Sequence, residues 1–508
     1  MKAHPKSAHS TDTHSWSRQP DTPAGGTERQ IVQLGTAMAI SFVLVALGLG
    51  YWSLIRAADL VARDDNPRRI EAERRIRRGN ILDRHGQPLV RSEPGLNGVW
   101  ERVYLVPDAA PVVGYSSIDH GTGGIEGTFD AQIRGERPLS TLDELRAHLL
   151  HLHSAGISVT LTIDLEVQQV ASRALGDRAG AVVVLDVRDG DIIAMVSKPT
   201  FDPNSLKEDW PRLESSPDKP MLNRATQGVY PPGLVFETIT LAAAMEEGLA
   251  GPTTVFTDEL GVILSVDPPI SCPSDPPERQ FTLAEAYTWP CSVLFARLGL
   301  ELGGERLSDY ATQLGIGRPI NLPVEVSSGQ LLERGVWSDL LSARTAMGQG
   351  EVLVTPLEMA LVMATVANDG LRPVPGLVLL VGGERPSRPG EPRQVLSRSV
   401  AQQVQSILIQ SLEVERWTAG LPAVDMAGRA GSAESGMAGA PPHAWFVGFA
   451  PAVQPRYAIA VIGEHGHRGW EVAAPIAVQV LAHVMDRQTE VLHAVSVSQV
   501  RDTGADPR

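Results

Sequence analysis

Residues 30–55 are twenty-six consecutive positions without a charged side chain, and most are apolar, as in the stretch Ile40-Ser41-Phe42-Val43-Leu44-Val45. At the rise of an α-helix, about 20 apolar residues cross the hydrocarbon core of a bilayer, so this run is long enough. A helix buried in a soluble core would usually carry a polar face, and this one carries none. The run exceeds the apolar region of a cleaved signal peptide, which favours a retained anchor. Tyr51 and Trp52 stand near its far end, where interface aromatics sit. The charge count is less simple. Lys2, Lys6, Arg18 and Arg29 precede the run, while eight arginines lie between Arg56 and Arg78. Counted alone, lysine and arginine would put the C-terminal side in the cytoplasm.

The remainder reads as folded protein. Hydrophobic residues make up 43% and charged residues 20%, a balance that excludes a disordered chain. A net charge of −15 argues against nucleic acid as a partner. Two cysteines are too few for a disulfide framework. Residues 1–29 are polar and without period, as in a disordered tail. The Arg/Glu-rich run 56–78 reads as a solvated helix leaving the membrane; a basic patch for lipid headgroups is its alternative.

Further on, Arg84-His85-Gly86 marks a hairpin turn. Residues 159–163 alternate like a strand, and Asp164 is placed to cap the helix that follows. Residues 181–185 and 192–196 flank a turn at Arg188-Asp189-Gly190, giving a second hairpin. Residues 445–449 and 457–462 form another strand pair. Helices are expected over 236–247, 283–302, 357–368 and 399–412. Strands at both ends with helices between imply an antiparallel sheet whose halves are distant in sequence. The domain plan is a tail (1–29), a membrane helix (30–55), a small β-rich domain (56–158), a larger α+β domain (159–487) and a flexible tail (488–508).

Several short motifs then fall in one order. They are Arg78-Gly79-x-Ile81-x-Asp83-Arg84-x-Gly86, Gly124-Ile125-Glu126, Asn223-Arg224-Ala225, Met347-Gly348-Gln349-Gly350 and His443-Ala444-Trp445-Phe446. With Thr162-Ile163-Asp164 and Ala367-Asn368-Asp369-Gly370, the series resembles the class B penicillin-binding proteins over residues 75–485. The resemblance implies a single-pass bacterial membrane protein with its bulk outside the cytoplasm, opposite to the charge count. It implies a serine β-lactamase-like transpeptidase domain of mixed α+β and α/β character. Its activity would be cross-linking of peptidoglycan stem peptides, and it would be acylated by β-lactams. It implies no cofactor and no metal.

That chemistry needs a nucleophilic serine, a lysine base one helical turn on, a Ser-x-Asn wall and a Lys-Thr-Gly strand. The first motif here lies in Tyr230-Pro231-Pro232-Gly233-Leu234-Val235-Phe236-Glu237, so Leu234 stands at the nucleophile position and Glu237 at the lysine. The second reads Pro290-Cys291-Ser292 and the third Arg429-Ala430-Gly431-Ser432. The only lysines are Lys2, Lys6, Lys198, Lys207 and Lys219, so no register shift restores either active-site lysine. Ser216-Pro217-Asp218-Lys219 matches the first motif as a string, but prolines 217 and 220 oppose a buried helix there.

The resemblance thus points to a pseudoenzyme, structural or regulatory in cell-wall synthesis. Its partners would be a polytopic glycosyltransferase or another penicillin-binding protein. The alternatives are an active acyl-transferase and a non-covalent sensor of stem peptide or β-lactam. Arg429, Gly431 and Ser432 are the candidate carboxylate-binding residues, and Glu237 with Arg429 is expected to form an ion pair filling the former site. Cys272 and Cys291, in an exported domain, could close a loop of about 20 residues worth ~3 kcal/mol, or remain two thiols. His465 and His467 have the spacing of a metal pair but read as an exposed turn.

Overall fold

The computed structural model describes residues 25–52, 73–136, 156–257, 262–263, 270–271, 280–289, 292–437 and 439–502. The 1–24 tail, most of the 56–78 run and both cysteines lie outside them. The chain divides into two units, residues 1–73 and 74–508.

The first unit contains helix α1, Gly25–Gly50. Its segment Arg29–Gly50 has a mean hydropathy of 2.1 and is long and apolar enough to cross a membrane. Thr36 Oγ1 donates to Val32 O and Ser41 Oγ to Ala37 O, so its hydroxyls are satisfied within the helix. Tyr51 and Trp52 stack edge to face at its end, ring centroids 5.8 Å apart.

The second unit begins with a five-stranded sheet in the order β7-β4-β1-β2-β3. Its strands are β1 (Ile81–Leu82), β2 (Pro88–Pro94), β3 (Trp100–Tyr104), β4 (Val159–Leu161) and β7 (Val378–Val381). The hairpin expected at Arg84-His85-Gly86 joins β1 to β2. Asp83 Oδ1 accepts from the N–H groups of His85 and Gln87, and Gly86 takes φ +82°. Beneath the sheet Glu126, fully buried, accepts from Arg78 Nη2 at 2.7 Å and Arg102 Nε at 2.6 Å.

The second sheet has the order β8-β9-β10-β5-β6 and is antiparallel throughout. Its strands are β5 (Gly180–Asp186), β6 (Ile192–Lys198), β8 (Ala427–Ala433), β9 (His443–Ala450) and β10 (Tyr457–Gly463). Period-2 alternation divides its side chains between two cores. Val183, Leu185, Trp445 and Val447 face one core, which holds helix α6 (Pro356–Ala367). Val182, Val184, Phe446 and Val461 face the other, shared with α2 (Leu165–Leu175) and α8 (Gly469–Asp502). α6 is buried along its whole length, which explains why it lacks a polar face. Thr355 and Glu358 close a capping box at its start. Asp164 caps α2, accepting from Glu166 N and Val167 N.

Three expectations change. The single helix over 283–302 is two, α4 (Leu283–Thr288) and α5 (Val293–Leu302). Trp289, the residue before Pro290, is extended at φ −78°, ψ 136°, because a following proline disfavours the helical region. The frayed tail from residue 488 is instead helical to Asp502, as no glycine or proline intervenes before Gly504. α7 also runs beyond the expected 412, spanning Arg398–Ala419.

Glu126→Ala removes the carboxylate of half-buried Arg102 and leaves Arg78 only Asp130 as partner, and is expected to cost about 3 kcal/mol. The loss should appear as an earlier denaturation midpoint of the detergent-solubilised full-length chain. An unchanged midpoint would contradict the structural role of this carboxylate.

Candidate active site

The site lies where the start of α3 (Glu237–Glu246) meets the edge strand β8. The chain enters α3 through a tight turn, Gly233–Phe236. Gly233 has φ +55°, and a Cβ there would come within 2.2 Å of Ser432 O. Gly348 presses from the other side: its carbonyl accepts from Gly233 N at 2.8 Å, and a Cβ on it would lie 2.0 Å from Gly233 O. These two glycines let three backbone segments meet at one point, fixing where residue 234 sits.

Leu234 is half-buried there, with its Cβ against Gly431 of β8. Its hydrocarbon side chain has no lone pair and no transferable proton. One turn later Glu237 is 1% exposed, and Arg429 of β8 is 2% exposed. Arg429 Nη2 lies 3.4 Å from Glu237 Oε2, so the ion pair expected from the sequence is present. Arg429 Nη1 donates to Ser411 Oγ of α7 at 3.3 Å, and its guanidinium carbon stands 4.7 Å from the centre of the Tyr287 ring. The Tyr287 hydroxyl returns to α3 through Thr238 Oγ1 at 2.7 Å. A closed circuit therefore joins α3, β8 and α4, with α7 behind it.

Burial pushes the Glu237 carboxyl up to about 7, while the Arg429 guanidinium and the Ser292 hydroxyl pull the other way. Ser292, at the N-terminal cap position of α5, is half-buried, and its hydroxyl is turned to Glu237 rather than to the helix end. Pro290 lies outside the described residues.

The proposed carboxylate-binding trio is corrected by this geometry. Arg429 is buried and engaged with Glu237, Ser411 and Tyr287, so its guanidinium is not presented to a ligand. Ser432 is three positions along an extended strand and therefore on the opposite face, the one Ala430 shares with the α8 core. Gly431 is covered by Val235 and Leu234. The Ser216–Lys219 string is a surface turn, Lys219 N donating to Ser216 O at 3.2 Å. His465 and His467 lie in a turn after β10, and no metal-holding cluster occurs among the described residues. Sequence reasoning missed Tyr287, Thr238 and Ser411; each is an ordinary residue in a helix, marked only by what packs on it.

This architecture has clear counterparts. Residues 180–482 match the penicillin binding protein transpeptidase domain, and residues 78–159 the penicillin binding protein A dimerisation domain. The chain belongs to the penicillin-binding protein transpeptidase family, with the fold of its class B members. It is 31% identical over 483 residues to the peptidoglycan D,D-transpeptidase PbpA of Mycolicibacterium smegmatis, covering 87% of this chain and 96% of that protein. Against the peptidoglycan D,D-transpeptidase MrdA of Acinetobacter baumannii it is 28% identical, over 71% of this chain and 57% of that protein. The ceftriaxone acyl-enzyme of penicillin-binding protein A from Mycobacterium tuberculosis superposes with a TM-score of 0.75 at 30% identity, covering 81% of this chain and 99% of that one.

The raised Glu237 carboxyl has a defined consequence. The folded chain holds this proton more tightly than the unfolded chain, so the group lowers stability as pH rises from the ordinary 4.5 to about 7. Glu237→Gln removes that dependence. The stability of the variant relative to the native chain should therefore grow between pH 5 and pH 8 in denaturant titrations. A difference constant with pH would contradict it.

Proposed function

We propose that this protein is a membrane-anchored, catalytically inert member of its family, acting as a structural or regulatory element in peptidoglycan synthesis. The observation that carries the reading is Leu234 at the head of α3, backed by the buried Glu237–Arg429 pair. Attack on a peptide carbonyl needs an activated oxygen, and base assistance needs a group free to take its proton. Here the first position is hydrocarbon. The second is a carboxyl engaged with a guanidinium.

Loss of a nucleophile or base alone costs a serine hydrolase about 10⁴–10⁶ in rate, and here both positions are replaced. The reading also uses α1 as a single-pass anchor, with the second unit on the extracytoplasmic side as in family members. The partners of such a protein are other membrane proteins of cell-wall synthesis, a polytopic glycosyltransferase or a second penicillin-binding protein. An active acyl-transferase would need a nucleophile this cleft does not place at residue 234. A reversible sensor of stem peptide would need Arg429 to leave its buried contacts.

The full-length chain in detergent, incubated with a fluorescent penicillin, is expected to carry no covalent label after denaturing electrophoresis. Leu234→Ser alone is expected to remain unlabelled, because Glu237 still stands where the lysine base belongs. Labelling of the native chain would overturn the reading.

A further inference from the structure

A second cluster of titratable groups borders the site and takes no part in the charge pair. His443 opens β9 and is 6% exposed. Its Nδ1 accepts the backbone N–H of His465 at 3.2 Å, so that nitrogen carries no proton. The two imidazoles lie 4.9 Å apart, and His465 Nδ1 is 3.1 Å from Pro441 O. The Tyr230 ring meets His443 edge-on at 5.4 Å. Glu464, the residue before His465, accepts from the Tyr230 hydroxyl at 2.7 Å and from Arg224 Nε at 2.8 Å. On the same stretch Trp445 Nε1 donates to Pro231 O at 2.9 Å. The turn that carries Glu464 and His465 is strained: His465 has φ +51° and His467 φ +65°, a region non-glycine residues rarely adopt.

We propose that His443 and His465 form an acid-released latch that holds residues 230–233, the segment leading directly into Leu234. The physical step is one proton. When His443 Nδ1 gains it, an N–H faces the His465 N–H, and the bond closing the turn is lost. The new cation also sits beside the His465 ring. The strained turn then relaxes, carrying Glu464 away from Tyr230 and Arg224. Residues 230–233 then lose the clamp from the turn, and their backbone bonds to Val354 and Gly348 open more often.

The titratable and charged groups facing His443 are His465 and Glu464 from the turn, with Arg224 bound to Glu464, and Tyr230 from the approach segment. Burial pushes the Tyr230 hydroxyl above its ordinary range, so it stays neutral throughout. Burial, and then the neighbouring His465, hold His443 below the usual histidine range, with Glu464 pulling the other way. A histidine held low in the folded state contributes stability above its ordinary value of about 6.5 and loses it as pH falls through the lowered one. This runs opposite in sign to Glu237, which separates the two. The latch does not depend on whether Leu234 has abolished acylation.

The test is hydrogen exchange on the full-length solubilised chain at pH 7.5 and pH 5.0, corrected for the intrinsic pH dependence of amide chemistry. Protection at His465, His467 and Gly233 should fall about tenfold at the lower pH, the scale of one lost buried hydrogen bond. Amides in the middle of β5 should not change. In His443→Gln the side-chain carbonyl can still accept from His465 N–H and cannot titrate, so protection should be equal at both pH values. In His465→Gln the neighbouring charge is gone, so the midpoint of the fall should move to higher pH. Equal protection in the native chain at both pH values, a fall that persists in His443→Gln, or an unmoved midpoint in His465→Gln would each overturn the proposal.

Discussion

The pairing of β10 with β5 is the constraint on which the rest of this molecule depends. Seven register pairs, from Tyr457↔Asp186 to Gly463↔Gly180, join strands that the chain separates by its whole helical middle. Closing so long a loop has an entropic cost that only the completed sheet can offset. Both strands are buried along their full length, and their alternate side chains enter separate cores. Because β9 and β8 add outward from β10, this register also decides where Arg429 falls relative to α3. A slip of one residue would turn every side chain of the strand to the other face, sending Arg429 into the α8 core.

The charge pair at the site shows how this fold accommodates two opposite charges in its core. A buried carboxylate beside a buried guanidinium has a desolvation cost that their attraction offsets only when other polar contacts help. Ser411, Ser292 and the Tyr287 face supply that help here. Arginine suits the position better than lysine, because its planar group can meet Glu237, Ser411 and an aromatic face together. Substitution at Glu237 and Arg429 is thus coupled: either residue alone would leave a charge stranded in the core.

Much of the fold was legible in the residues themselves. The hairpins around Arg84-His85-Gly86 and Arg188-Asp189-Gly190, the caps at Asp164 and the helix ending at Ala367 follow from turn chemistry and apolar period. Pro290 is equally visible, yet the apolar period continues past it into α5 and masks the interruption at Trp289. The ion pair was legible only through the family order of motifs, since nothing local links residues 237 and 429. Its lining was not legible at all. Tyr287, Thr238 and Ser411 carry no spacing or composition signal, and only packing reveals that they converge.

The sequence by itself determined which atoms could react: a leucine without a lone pair at 234, no lysine beyond residue 219, and an uncharged run long enough to span a bilayer. Those statements concern side-chain chemistry and length, which no folding can alter. Tertiary structure decided what the surviving polar groups do. It turned Arg429 away from solvent, put Ser432 on the opposite face, and tied His443 to the turn above the site. Direction and burial come from strand register and helix packing, and those exist only once distant segments meet.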